Sequence, residues 1–141
     1  MYTNEITTKD EALCHLFLHC CMKDGQFRSA EIEDVSAKFV DLGLNVNLNF
    51  KDELVKYRSY IPNVNNETAY LEYLIGLIHP VNELALYTYC VELAVSDQLI
   101  DAGEEQLLGK IAMVLSINAG EQATAKKLVA QKKAVQLQKI F

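Results

Sequence analysis

The chain is poor in the residues that interrupt regular structure: its 141 residues include two prolines, six glycines and no tryptophan. It also has no low-complexity stretch and no long linker, so we expect no disorder beyond the first several residues. Half of the residues are apolar, and a chain of this length can bury a hydrophobic core without disulfides or a structural metal. The sequence therefore predicts one compact domain over residues 1–141.

Long apolar runs are missing as well. The longest ones are interrupted by His15, His19, Glu83 and Glu92, and none approaches the ~20 residues that a bilayer-spanning helix needs. The first residues, MYTNEITTKDEA, lack the basic leader, apolar run and small-residue cleavage site of a secretory signal. We therefore expect a cytoplasmic protein without a membrane span, for which peripheral association with a membrane stays open.

Positive charge is scarce over most of the chain. Residues 1–118 carry 8 basic and 18 acidic side chains (net −10), whereas residues 119–141 carry five lysines and one glutamate (net +4). The negative net charge of residues 1–118 argues against binding of a nucleic-acid phosphate backbone, so we expect no nucleic-acid partner. The terminal lysines predict a solvated helix face. Contact with an acidic surface, of this chain or of a partner, is the alternative.

The motifs of common catalytic sites are absent from the sequence. It has no G-x-x-x-x-G-K-[ST], G-x-G-x-x-G or G-x-S-x-G, and neither H-E-x-x-H nor E-x-x-H, so nucleotide, acyl-transfer, metalloprotease and di-iron chemistry lack their usual residues. The run CHLFLHCC places His15 and His19 four residues apart, a spacing that can hold zinc, but no further ligand follows at a usual distance. We interpret both as histidines on a helix surface, beside Glu11.

The four cysteines do not form an obvious disulfide framework. Cys14, Cys20 and Cys21 lie within eight residues of one another on one predicted helix, and Cys90 is distant. This arrangement is typical of buried, reduced thiols. A small enzyme that uses Cys14, Cys20 or Cys21 together with a histidine is the alternative, and it would need a reactive thiol.

Apolar residues recur at helical spacing along most of the chain and predict an all-α bundle of six to seven helices. Asparagine or serine indicates several helix starts, and Gly43, Pro62 and Pro80 indicate stops. Residues 45–49 alternate polar and apolar side chains, but so short an isolated strand is unstable, so we interpret them as a loop. The predicted helices are 8–23, Ser29 to Gly43, Asn49 to Ile61, Asn66 or Thr68 to Ile78, 81–96, Asp101 to about Asn118, and 121–140.

Six of the seven tyrosines lie between residues 57 and 89. We interpret them as packing residues whose hydroxyls reach the surface. The alternative is a surface patch that binds a partner, because tyrosine is enriched in interface cores.

An internal repeat becomes visible when the chain is shifted by 73 residues. The halves, about 10–44 and 83–117, each contain a long apolar helix, an aspartate turn and a glutamate at the start of the next helix. The matched pairs include Asp24 with Asp97, Glu31 with Glu104, and Leu42 with Leu115. The sequence therefore predicts a bundle with an internal pseudo-twofold repeat.

The segments CCMKDGQFRSAEIEDV and AVSDQLIDAGEEQLLGKIAMVLSI carry this duplicated pattern. From about Asp10 to Ile117 the pattern resembles the TerB-like (tellurite-resistance) family, with Gln98 at a position where the family usually has glycine. The resemblance implies an all-α fold with pseudo-twofold symmetry. It also implies a non-enzymatic binding or scaffolding module near the membrane, associated with tellurite resistance and stress responses, with metal binding proposed for the acidic turns.

Asp24, Glu31, Asp97 and Glu104 are the candidate site residues. An aspartate at the C-terminal end of a helix meets the negative pole of the helix dipole, so another interaction must compensate. Either the aspartate accepts backbone N–H groups of the turn, or each Asp/Glu pair shares a hard divalent cation such as Ca²⁺ with loop carbonyls. Neither turn has the carboxylate density of an EF-hand, so such a site would be weak.

These observations favour a binding module whose partner is another protein or a second copy of the chain. Two alternatives stay open. One is the small cysteine- and histidine-dependent enzyme, and the other is a purely structural oligomerisation domain.

Overall fold

The computed structural model describes residues 1–22, 29–94 and 102–136, and every regular element within them is helical. The prediction of an all-α fold is therefore confirmed. In chain order the α-helices are α1 (Tyr2–Glu5), α2 (Lys9–Met22), α3 (Ser29–Asp41), α4 (Phe50–Tyr60), α5 (Glu67–Ile78), α6 (Glu83–Ala94), α7 (Ala102–Leu115) and α8 (Ala119–Gln136), with short 3₁₀ helices at Leu44–Val46 and Ile61–Asn63. None of the helices in these three ranges is both long and apolar enough to cross a membrane.

The first of two compact units, Met1–Pro80, is organised around α2. This helix packs against α3, α4 and α5, and every residue from Cys14 to Met22 is buried. Because neighbours cover it on several sides, α2 is an enclosed helix rather than an amphipathic surface helix. Any polar side chain on this stretch therefore needs a partner inside the unit.

Asparagine caps start several helices, as the sequence predicted for α4 and α5. Asn49 and Asn66 each accept a hydrogen bond from the backbone N–H three residues later, at 3.2 and 3.0 Å. A further cap was not predicted: Asn118 Oδ1 accepts from the Glu121 N–H at 2.8 Å, and Glu121 Oε1 lies 3.4 Å from the Asn118 backbone N. This reciprocal pair starts α8 at Ala119, ahead of the predicted start at residue 121.

Two helix stops follow the sequence prediction. After α3, Gly43 adopts a φ of 73°, in the left-handed region that favours glycine. After α5, His79 adopts a φ of 46° and is followed by Pro80, which cannot continue a helix.

The N-terminal segment is ordered against the first unit. Tyr2 packs edge-on against Tyr70, with ring centroids 5.0 Å apart, and Ile6 is fully buried. The Tyr73 hydroxyl donates to the Ile6 carbonyl oxygen at 2.6 Å. The sequence pattern did not predict α1.

In the second unit, Val81–Phe141, α6 packs against both α7 and α8. Lysines of α8 contact oxygens of the other two helices. Lys126 pairs with Glu105, Lys132 Nζ lies 3.1 Å from Glu92 Oε1, and Lys133 Nζ donates to the Glu92 carbonyl at 2.7 Å. Lys126 and Lys132 therefore contact acidic side chains of the chain itself, which was the alternative prediction, whereas Lys133 contacts a backbone carbonyl. Lys132 is also exposed, as the predicted solvated face requires.

The helix boundaries of the two proposed halves correspond closely. Helices α3 and α7 begin 73 residues apart, and α2 and α6 begin 74 residues apart. Glu31 and Glu104 are each the third residue of their helix. Leu42 and Leu115 differ, because Leu42 is exposed and Leu115 is buried. The halves lie in different units, so the superposition of the repeat and the single domain over residues 1–141 stay predictions.

Candidate functional site

His15, on α2, lies between a carboxylate and a tyrosine hydroxyl of α4. Its Nε2 is 3.0 Å from Glu53 Oε1, and its Nδ1 is 2.6 Å from the hydroxyl oxygen of Tyr60. That hydroxyl oxygen is in turn 2.5 Å from the hydroxyl oxygen of Tyr70, on α5. The contacts thus form a chain from Glu53 through the imidazole to two tyrosines.

His19, one helical turn further along α2, has the same arrangement. Its Nε2 is 2.8 Å from Glu67 Oε2, and its Nδ1 is 2.9 Å from the hydroxyl oxygen of Tyr57. Here the tyrosine comes from α4 and the glutamate from α5. We call this set of side chains the histidine network; its members are His15, His19, Glu53, Tyr57, Tyr60, Glu67 and Tyr70.

Both histidines are inside the protein: His15 is 0% exposed and His19 is 4% exposed. The prediction that they lie on a helix surface was therefore wrong. The physical reason is that α4 and α5 provide a hydrogen-bond partner for every ring nitrogen, which removes most of the penalty for burying a polar group. Glu53, at 3% exposed, is buried with them.

The tyrosines of the network also depart from the prediction. Tyr57, Tyr60 and Tyr70 are buried, and their hydroxyls bond to the network instead of reaching the surface. Tyr87, in the second unit, is buried too. The three tyrosines of the network pack against one another, but their hydroxyls are used internally.

The proton positions follow from the partners. An ionised carboxylate only accepts hydrogen bonds, so Nε2 of each histidine carries a proton and donates it to its glutamate. In the neutral ring Nδ1 is then an acceptor, and it receives the hydroxyl hydrogen of Tyr60 or Tyr57. The Tyr60 oxygen can still accept from Tyr70. With neutral histidines every donor of the network is therefore satisfied.

Glu53 is kept in its charged form by its neighbours. Burial raises the pKa of Glu53, but the hydrogen bond with His15 and the charge of His15, followed by the charge of Lys56, hold this pKa below its usual value. Lys56 Nζ is 3.3 Å from Glu53 Oε2 and 3.7 Å from Glu11 Oε2. The Lys56 side chain is partly exposed, so this ion-pair series links the network to the solvent.

The remaining groups near the network are held protonated. Burial, followed by the nearby charges of Glu53 and Glu11, raises the pKa of the Cys14 thiol. Burial likewise raises the pKa of the Tyr57 and Tyr60 hydroxyls. A protonated thiol and protonated phenols are poor nucleophiles, so the arrangement suits hydrogen bonding rather than covalent chemistry.

The four cysteines lie within the described part of the chain, where they are buried and form no disulfide. The prediction of buried, reduced thiols is confirmed.

A surface pocket of about 360 Å³ adjoins the network at Tyr60. It is lined by Met1, Tyr2, Glu5, Ser59, Tyr60 and Asn63. Because the Tyr60 hydroxyl is bonded to His15 and Tyr70, the polar end of this residue is directed into the network.

The residues predicted to bind metal lie partly outside the described residues. Asp24 and Asp97 are outside them, as is the side chain of Glu31. Glu104 lies in the first turn of α7 and is half-buried. Among the residues that the structure describes, no group of three or more histidine, cysteine, aspartate or glutamate side chains could hold a metal ion. The structure therefore does not test the predicted Asp/Glu pairs.

Comparison of this chain with protein-family models, with curated proteins and with solved structures finds no match.

Proposed function

We propose that the chain is a non-enzymatic binding module of the TerB-like type. The main support for this proposal is that the histidine and tyrosine side chains of the network are buried and bonded to one another. The imidazoles and phenols of the histidine network therefore form part of the core. The chain as a whole carries a net charge of −6, which favours contact with a positively charged partner or ion.

The cysteine-dependent enzyme finds little support in this arrangement. A nucleophilic cysteine needs an accessible thiol whose pKa is low. Cys14 is 1% exposed and its pKa is raised, and Cys20 and Cys21 are buried as well. Both ring nitrogens of each buried histidine already have a partner, which leaves neither ring placed as a general base for an external substrate.

Divalent-cation binding at the acidic turns is the first part of the proposed function. Glu31 and Glu104 both occupy the third position of a helix, where the positive end of the helix dipole favours a carboxylate. The paired Asp24 and Asp97 would complete two weak sites for a hard cation such as Ca²⁺, together with loop carbonyls. The resemblance associates such turns with tellurite and stress responses in the cytoplasm, near the membrane, and we extend this association to the chain.

Contact with a protein partner or a second copy of the chain is the second part. Three exposed apolar side chains, Val40, Leu42 and Val46, occur close together in sequence where α3 ends. Exposed apolar groups that lie together are typical of protein contact sites. We call these three residues the apolar corner.

A calcium titration of the ¹⁵N-labelled full chain tests the cation sites. We expect amide signals of the two acidic turns to shift in a saturable way. The double variant Asp24→Asn with Asp97→Asn should lose these shifts. Asp41→Asn, which removes an exposed carboxylate at the end of α3, is the matched control and should keep them. If the double variant responds as the parent does, the aspartates are only caps.

A further inference from the structure

The surface pocket beside Tyr60 has a volume of about 360 Å³, at the lower end of the range typical of small-molecule sites. Its walls come from two segments of the first unit that are far apart in sequence. The N-terminal segment provides Met1, Tyr2 and Glu5, and the end of α4 with the following 3₁₀ helix provides Ser59, Tyr60 and Asn63. The lining therefore combines aromatic rings with polar side chains.

The N-terminal wall of the pocket is held in place by α5. The Tyr73 hydroxyl oxygen lies 3.3 Å from the Thr3 carbonyl oxygen and 2.6 Å from that of Ile6. The Tyr2 ring packs edge-on against Tyr70 and Tyr73, with centroids 5.0 and 5.5 Å away. Because α1 has four residues, these tertiary contacts fix it more firmly than its own hydrogen bonds do. The wall is thus formed before a ligand binds, which lowers the cost of binding.

Tyr2 and Tyr60 provide the aromatic surface of the pocket. Their ring centroids are 6.1 Å apart. The Tyr60 hydroxyl bonds to His15 and Tyr70, so this residue contributes its ring and not its polar end. Aromatic rings bind alkyl groups and also attract cations. This surface therefore suits an alkyl chain that carries a positive charge.

Three polar side chains, those of Glu5, Ser59 and Asn63, line the same pocket. All three residues are exposed, and each has an oxygen that accepts hydrogen bonds. The Ser59 hydroxyl donates its own hydrogen to the Lys56 carbonyl oxygen at 2.8 Å, which leaves its oxygen as an acceptor. A primary ammonium group has three N–H donors and no acceptor. It therefore matches a carboxylate together with two neutral acceptors.

The charge around the pocket also favours a cation. Lys56, one turn before the end of α4, pairs with Glu53 and Glu11, and the charge of Glu5 acts on it as well. Three carboxylates thus surround one ammonium group. Arg58 belongs to the last turn of α4, but it is exposed and does not line the pocket. The negative pole of the α4 dipole adds to the carboxylates, so the potential here attracts positive charge.

We propose that this pocket binds the primary ammonium group of a small alkylamine. The ammonium group donates to Glu5, Ser59 and Asn63, and the alkyl chain packs against the rings of Tyr2 and Tyr60. The site is separate from the acidic turns and does not depend on cation binding there. The lysine side chain ends in the same group, so the two sources of this chemistry are a free amine and a lysine of another protein.

NMR titration of the ¹⁵N-labelled full chain with n-butylammonium chloride, at constant total chloride concentration, tests the pocket. We expect saturable shifts of the amide signals of Tyr2, Ser59 and Asn63, with a Kd of about 1 mM for so small a ligand. 1-Butanol keeps the alkyl chain without the charge, and tetramethylammonium keeps the charge without an N–H donor. Each should bind at least about tenfold more weakly. Equally strong binding of either probe, or no saturable shift with n-butylammonium, would overturn the proposal.

Substitutions of exposed side chains provide the second test. Glu5→Gln keeps the size of the side chain and removes its charge, so it should weaken n-butylammonium binding by about tenfold. Glu72→Gln, at an exposed position of α5 outside the pocket, is the matched control and should bind as the parent does. Asn63→Leu should weaken binding by about threefold, and its control Asn65→Leu should not. Unchanged binding by Glu5→Gln contradicts the proposal whatever the result at Asn63.

A blocked tripeptide with a central lysine distinguishes the two sources of the ammonium group. Its side chain presents the same group as n-butylammonium, but attached to a peptide backbone. Binding of the peptide that is tighter than that of n-butylammonium, and weakened by Glu5→Gln, supports a lysine of another protein as the ligand. Weaker binding of the peptide supports a free alkylamine, because the backbone then hinders entry.

Discussion

The rings of His15 and Tyr60 lie nearly parallel, with planes 16° apart and centroids 5.5 Å apart, while the Tyr60 hydroxyl oxygen is 2.6 Å from His15 Nδ1. Tyr60 therefore supplies both packing surface and a hydrogen bond to one imidazole. Its hydroxyl is also bonded to Tyr70, which makes it a junction of the network. The Tyr60 hydroxyl thus has two partners, whereas among the described residues the Tyr57 hydroxyl bonds to His19.

This difference predicts that Tyr60→Phe destabilises the protein more than Tyr57→Phe. The first change leaves His15 Nδ1 without a donor and Tyr70 without an acceptor, whereas the second leaves only His19 Nδ1 unsatisfied. At roughly 1–3 kcal/mol for each unsatisfied buried group, Tyr60→Phe should lower the free energy of unfolding about twice as much. Urea unfolding at neutral pH measures both values, and equal losses would mean that the Tyr60–Tyr70 contact contributes little.

The lowered pKa of Glu53 predicts a specific pH dependence. A carboxyl group whose pKa is lower in the folded chain adds stability above its unfolded pKa, and this stability is lost as pH falls through the folded pKa. Glu53→Gln should therefore be less stable than the parent at neutral pH, and the difference should shrink in acid, below the usual glutamate range. Glu72→Gln, at an exposed position of α5, is the matched control. A Glu53→Gln difference that is constant across pH would contradict the assigned charge state.

Local features of the fold were predictable from the sequence because their causes lie within a few residues. The caps at Asn49 and Asn66 and the stops at Gly43 and Pro80 each follow from one residue type at one position. The unpredicted cap at Asn118 is of the same kind: Glu121 stands three residues later, and this spacing is a signal that the sequence contains.

The histidine network was not predicted because its partners are far apart in sequence. Glu53 is 38 residues from His15, and Glu67 is 48 residues from His19. The sequence does show which residues of α4 could join the network, because Glu53, Tyr57 and Tyr60 recur on one face of this helix at helical spacing. Which helix that face meets is decided by packing among α2, α4 and α5, and helical periodicity carries no information about it.

Two glycines in contrasting positions predict opposite effects of the same substitution. Gly43 has a φ of 73°, so Gly43→Ala forces an L-residue into the left-handed region and should cost about 1 kcal/mol. Gly76 lies within α5, and an added Cβ there meets nothing within 4 Å. Gly76→Ala should therefore stabilise the protein by about 0.4–1 kcal/mol. Thermal unfolding of both variants checks the sign, and a destabilised Gly76→Ala would indicate a close neighbour of α5.

The apolar corner predicts a contact between molecules. If it mediates self-association, the double variant Val40→Asp with Val46→Asp should sediment as a monomer at concentrations where the parent forms larger species, because a charge in an apolar contact is costly. Val81→Asp is the matched control, since Val81 is also exposed but lies outside the corner. Sedimentation velocity measures the distributions. If all three proteins remain monomeric, the partner of the corner is not a second copy of the chain.

The enclosure of the thiols predicts slow alkylation of the native protein. Cys14, Cys20, Cys21 and Cys90 are all buried, and the raised pKa of Cys14 keeps its thiol protonated at neutral pH. Mass spectrometry after brief treatment with iodoacetamide should therefore show an unmodified native chain, and four modified sites once denaturant is added. A single thiol that reacts rapidly under native conditions would need both exposure and a thiolate. That result would favour the cysteine-dependent enzyme over the binding module, because the reactive group would then be open to a substrate.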